Sequence, residues 1–271
     1  MSNNHEPLAP PSKVSETDSD GPGRSPSKGP GSRKTLLARQ GFLGLALLVL
    51  GLTPGLATVA FVPRLPEQVP LHWGADGQID RWGSKWEIVG MAVFCLVFSV
   101  VWLIAVRYVG RAAERSGDEP RSNVRLFLRL GLISQLMFNA ITLGVIYVDW
   151  SATAAEPPAL SLDFPRMACG CLGVCMILVG DIMPQVKPNR FIGARMPGAY
   201  ASRDAWRRVQ RACGWCFIAL GAATLLAAVA QGAALGWVVL LSGMVATSVF
   251  MLAYSAQAGK KHGSDGTSTR R

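Results

Sequence analysis

Residues 212–259 read ACGWCFIALGAATLLAAVAQGAALGWVVLLSGMVATSVFMLAYSAQAG, 48 positions without an Asp, Glu, Lys or Arg. As one helix rising 1.5 Å per residue, the run would reach about 70 Å, against a hydrocarbon core of roughly 30 Å. It must therefore cross, turn and cross again, and Gln231-Gly232 near its middle supplies the turn. Upstream, 41–62 is uncharged over 22 residues, and 88–106 and 130–148 over 19 each. The stretch 167–186 is a fourth apolar run, with Asp181 inside it. Six spans are expected, in an all-α integral membrane protein.

Composition agrees. Of 271 residues, 50% are hydrophobic and 16% charged, where a soluble domain carries about a quarter charged. The mean hydropathy is +0.28. Lys and Arg number 27 against 17 acidic residues, a net charge of +10. These charges flank the apolar runs instead of forming one patch, so no direct nucleic acid binding is expected. The first run starts behind a long polar stretch and is too long for a signal-peptide core.

The flanks also set the orientation. The N-terminal tail, the second and fourth loops and the C-terminal tail hold 21 basic residues, and the first, third and fifth loops hold four. Cytoplasmic segments carry the Lys/Arg excess, so both termini are expected inside, beside anionic lipid of the bilayer. Trp73, Trp82 and Trp86 in the first loop, with Tyr147 and Trp150, fit an outer aromatic belt.

The expected organisation follows. Residues 1–40 and 258–271, rich in small and polar residues, form disordered cytoplasmic tails. Residues 41–110 hold spans one and two around the loop 63–86. Residues 111–166 hold the second loop, span three and the third loop. Residues 167–257 hold span four, a basic loop at 187–211, and spans five and six.

Cys95, Cys169, Cys171, Cys175, Cys213 and Cys216 lie in or beside spans. Spans four and five enter from opposite faces, which separates the 169–175 group from the 213–216 pair and argues against a shared metal site. They read as small buried apolar residues, and no metal or other cofactor is expected. A cation site from His72, Asp76 and Asp80 is a weaker reading than solvated loop charges. No nucleophile–base or carboxylate–metal set points to an enzyme.

Two loops carry more specific patterns. The first reads LPEQVPLHWGADGQIDRWGSKWE over 65–87, with Pro66, Pro70, Gly74 and Asp76-Gly77 as turn formers. The second reads GDIMPQVKPNRFIGARMPGAYASRDAWRRVQR over 180–211. There Pro184 weakens the end of span four and Lys187-Pro188-Asn189-Arg190 is a turn signal. Phe191-Ile192 is expected to return to the interface, and Ser202 to cap a short helix leading into span five.

The first loop, in Leu65-Pro66, Val69-Pro70, His72-Trp73, Gly77 and Asp80-Arg81-Trp82-Gly83-Ser84-Lys85, resembles the outer-loop domain of unknown function that opens many SdpI-type membrane proteins. The second resembles the SdpI signature in Gly180, Pro184, Val186-Lys187-Pro188-Asn189, Phe191-Ile192-Gly193, Arg195, Pro197 and Trp206. It departs from the usual pattern at Asp181, Gly198-Ala199 and Val209-Gln210.

The resemblance implies an integral-membrane immunity or sensing protein in a bacterial plasma membrane. Such a protein confers resistance to a secreted membrane-active peptide toxin and takes part in signal transduction by drawing a cytoplasmic transcriptional repressor to the membrane. The candidate contacts are His72, Trp73, Asp80, Arg81, Trp82 and Lys85 outside. Inside, they are Asp181, Pro184, Lys187, Pro188, Asn189, Arg190, Phe191, Gly193, Arg195 and Trp206. The alternative is a small transporter or channel, since Gln135, Asn139 and Thr142 share one face of span three and Asp181 could join them.

Overall fold

The computed structural model describes residues 30–74, 77–116, 120–152, 163–189 and 191–268. The chain divides into a unit Met1–Ala38, of which 30–38 are helical, and a compact unit Arg39–Arg271. Its helices are α1 (Pro30–Phe61), α2 (Glu87–Ser116), α3 (Pro120–Ser151), α4 (Phe164–Ile182), α5 (Arg203–Gln231) and α6 (Ala233–Ser268). All six are long and apolar enough to cross a membrane. The protein is a multi-pass membrane protein with an all-α bundle and, between α1 and α2, one antiparallel hairpin of β1 (Gln68–Trp73) and β2 (Ile79–Ser84).

Local chemistry sets the helix ends. Gly232, at φ +96°, breaks the long apolar run between α5 and α6, and its N–H reaches the Ala228 carbonyl at 3.1 Å. Few residues but glycine adopt that backbone. Ser202 caps α5 by accepting from the Ala205 N–H at 2.9 Å. Asp163 caps α4 by accepting from the Arg166 N–H at 3.1 Å, so that helix starts before the apolar run does.

Two expectations are corrected at the ends of the chain. α1 begins at Pro30 and α6 runs to Ser268, so 30–40 and 258–268 are helical where composition pointed to disorder. Extending an existing helix avoids the nucleation cost, so polar residues follow where the apolar run leads. Residues 1–29 and 269–271 lie outside the described residues.

The most extensive interface joins α4 and α5. Gly173 and Gly180, seven residues apart on α4, oppose Gly221 and Gly214 on α5. A Cβ on Gly173 would lie 2.8 Å from the Gly221 carbonyl oxygen, and one on Gly180 2.7 Å from that of Gly214. Small residues let the two backbones touch, which is how helices associate where lipid leaves no hydrophobic drive.

The connections alternate between the two ends of the bundle. At one end, Phe61 meets Trp150 (6.2 Å between ring centroids) and Trp73 meets Phe164 (4.3 Å). At the other, Tyr108 meets Phe191 (6.1 Å), and Gly198 is pressed against the backbone of Ser255. These are called the hairpin end and the motif end below.

Candidate functional site

The hairpin end is built on a two-faced ribbon. Gln68 pairs with Ser84 and Trp73 with Ile79, with an irregular register between Pro70 and Trp73. Gly77 closes the turn at φ +83°, donating to the Gly74 carbonyl at 3.0 Å. Val69 and Leu71 pack with Val62, Leu65, Ile88, Val145 and Ile146, which fixes the ribbon to α1, α2 and α3. Trp73, read from sequence as a belt residue, instead turns inward onto Phe164 at the start of α4.

The other face is open. His72 Nδ1 lies 2.6 Å from Asp80 Oδ1, and Arg81 donates to Glu87 Oε2 at 2.5 Å. Trp82 and Trp86 are more than half exposed. Such surface pairs are worth about 0–1 kcal/mol, so they do not hold the ribbon in place. Lys85 differs from them. It is buried, and its Nζ lies 3.0 Å from the Leu65 carbonyl oxygen, 3.4 Å from that of Pro63 and 3.1 Å from Glu67 Oε1. It pins the hairpin base. Behind the ribbon lies an apolar cavity of ≈ 430 Å³ reached by Trp73, Met91, Ile141, Phe164 and Trp237.

The motif end is a folded segment. Asn189 forms an Asx-type turn: its Oδ1 accepts from the N–H groups of Phe191 (2.7 Å) and Ile192 (2.8 Å). Its Nδ2 donates to the carbonyls of Lys187 (2.7 Å) and Ile192 (3.2 Å). Asn123 of α3 exchanges two hydrogen bonds with the Lys187 backbone, at 3.1 and 3.2 Å. Gln210 of α5 does the same with Ala194, at 3.0 and 3.1 Å. Gly193, at φ +99°, makes room for that amide. Trp206 is fully buried and its indole donates to the Val186 carbonyl at 2.7 Å.

The sequence expectations sort accordingly. Asn189, Gly193 and Trp206 shape the segment, and Pro184, Lys187, Pro188 and Arg195 stand on its exposed side. Ile192 is buried and Phe191 packs against the same core, so the pair does not return to the lipid interface as expected. Their backbone is held by Asn189, which turns them into the protein. Asp181 is exposed and does not join the amides of α3, because it faces away from the packed side of α4. Arg190, Asp76 and residues 153–162 lie outside the described residues.

The α3 amides bond within the bundle. Gln135 accepts from Ser99 Oγ at 3.0 Å and donates to Asn139 Oδ1 at 2.8 Å, while Asn139 donates to the Leu50 carbonyl at 2.8 Å. The cysteines lie apart, with Cys95 of α2 against Thr142 of α3, Cys169 beside Gly236 near the hairpin end and Cys213 in the core of the motif end. Among the described residues no group of His, Cys, Asp and Glu has metal-holding geometry.

Sequence reading missed Asn123 and Phe164, and it marked Gln210 only as a departure from the family pattern. Each acts on a partner far off in the chain. The paired seven-residue glycine spacing of α4 and α5 was written in the sequence and is the one missed signal that could have been found there.

Residues 185–255 match the SdpI/YfhL protein family, and residues 49–96 match a domain of unknown function, DUF1648. The first range takes in the motif segment from Gln185 on, α5 and most of α6, and the second takes in the hairpin with the end of α1 and the start of α2. α3 lies outside both. No curated protein and no solved structure matches the chain.

Proposed function

We propose that this chain, an SdpI-family membrane protein carrying the N-terminal domain of unknown function, is an immunity and sensing protein of a bacterial plasma membrane. The hairpin end faces outward and meets a secreted membrane-active peptide toxin. The motif end faces the cytoplasm and draws a transcriptional repressor. The observation that carries this reading is the ring contact of Trp73 with Phe164 at 4.3 Å. It joins the open ribbon to the first turn of α4, and α4 runs through its glycine contacts with α5 to the motif segment. A displacement of the ribbon thus has a packed route to the other end.

The ribbon offers an amphipathic peptide the exposed indoles of Trp82 and Trp86 beside the charged groups of His72, Asp80 and Arg81. The motif end offers Lys187, Arg195, Arg203, Arg208 and Arg211, all exposed, to an acidic partner surface or to lipid phosphate. A transport reading has less support, because the amides of α3 already bond to protein groups.

The test is survival. A sensitive bacterium expressing the chain is challenged with membrane-active peptides secreted by related strains. Survival that tracks expression and is lost in Trp82→Ala supports the proposal; equal killing with and without the chain against every peptide contradicts it.

A further inference from the structure

The middle of α1 carries a defect that its neighbours repair. Pro54 is buried inside the helix and has no N–H, so the Leu50 carbonyl has no donor four residues on. An unpaired carbonyl in hydrocarbon costs several kcal/mol. Here the side-chain amide of Asn139, from α3, donates to that oxygen at 2.8 Å. Asn139 is held in turn by Gln135 (2.8 Å), and Gln135 by Ser99 of α2 (3.0 Å). The Leu47 carbonyl, one turn below, lies 2.9 Å from the same hydroxyl and competes with Gln135 for its single proton, where Gly51 lets α1 and α2 close up.

Beyond Pro54, α1 continues to Phe61 and passes through a single turn at Val62–Arg64 into β1. Val62 and Leu65 are buried in the hairpin core, so the last two turns of α1 are the stem of the ribbon. We propose that Pro54 makes α1 a jointed helix, and that Asn139 is the latch that fixes the angle of the hairpin stem by occupying the broken rung at Leu50. Swinging the hairpin opens the rung and pulls on Asn139. Through Gln135 and Ser99 the strain is shared by α1, α2 and α3. The device does not depend on what the hairpin binds.

The experiment is a double-mutant cycle on the full chain in lipid nanodiscs, read by thermal unfolding. Asn139→Ala lowers the midpoint by a few degrees in the native background. In a Pro54→Ala background the new N–H takes the Leu50 carbonyl, so the same change lowers it by half as much or less. An equal loss in both backgrounds overturns the proposal. Spin labels at Ile79 and Leu136, in a chain with the six cysteines replaced, report the motion itself. Pro54→Ala alone narrows the distance distribution, and Asn139→Ala broadens it if that variant accumulates. A Pro54→Ala distribution as broad as that of the parent overturns the joint, whatever becomes of the Asn139 variant.

Discussion

The hairpin end and the motif end use polar side chains in opposite ways. On the ribbon, His72 pairs with Asp80 and Arg81 with Glu87, side chain to side chain on an exposed face. At the motif end, Asn123, Gln210 and Trp206, all buried, and the half-buried Asn189 bond to backbone. A charge pair on a surface contributes little and can be exchanged for contacts with a ligand. A buried amide that closes a loop cannot be removed without orphaning the groups it serves. The ribbon's charged side chains can exchange partners at little cost to the fold, whereas the amides and the indole of the motif end hold backbone in place.

The largest effect is expected at Trp206. Replacing a buried Trp by Ala costs about 3–5 kcal/mol, and here it also orphans the Val186 carbonyl. Trp206→Ala should therefore abolish accumulation of folded protein, measured by size-exclusion chromatography in detergent. Gly221→Val comes next, because its side chain would enter the Gly173 backbone; overpacking of this kind costs about 1–3 kcal/mol. It should lower the thermal midpoint and leave the spans inserted. Asn189→Ala removes an acceptor for two N–H groups and should cost about 1–3 kcal/mol. Asn189→Asp keeps that acceptor and should recover part of the loss in the same assay. On the ribbon, Trp82→Ala or Asp80→Asn should shift stability by no more than about 0.5 kcal/mol, while survival under toxin falls. A ribbon variant that unfolds the protein would erase the distinction between the two ends.

How much of this was legible depends on distance along the chain. Six spans, the Gln231-Gly232 turn and the Ser202 cap are local, and composition and turn chemistry sufficed for them. The hairpin reads as a loop from sequence, because Pro70 and a three-tryptophan, glycine-rich composition hide its alternation; the pairing is visible only once Val69 and Leu71 have a core to face. The turn at Asn189 is local and legible, but the seating of the motif segment on the bundle is not. It rests on Asn123, which is 64 residues from Lys187, and on Gln210, which stands where the family pattern has another residue. The family resemblance located the segment, and only tertiary contacts say which of its residues are structural.

The proposed function requires the two ends to stand on opposite sides of the membrane, with the ribbon outside. Single cysteines at Ile79 and at Tyr200, in a chain whose six cysteines are replaced, can be probed in intact cells with a membrane-impermeant maleimide. Both positions are exposed. With the ribbon outside, Ile79 is labelled in intact cells and Tyr200 only after permeabilisation. Labelling of Tyr200 from outside, or of Ile79 only after permeabilisation, would contradict it.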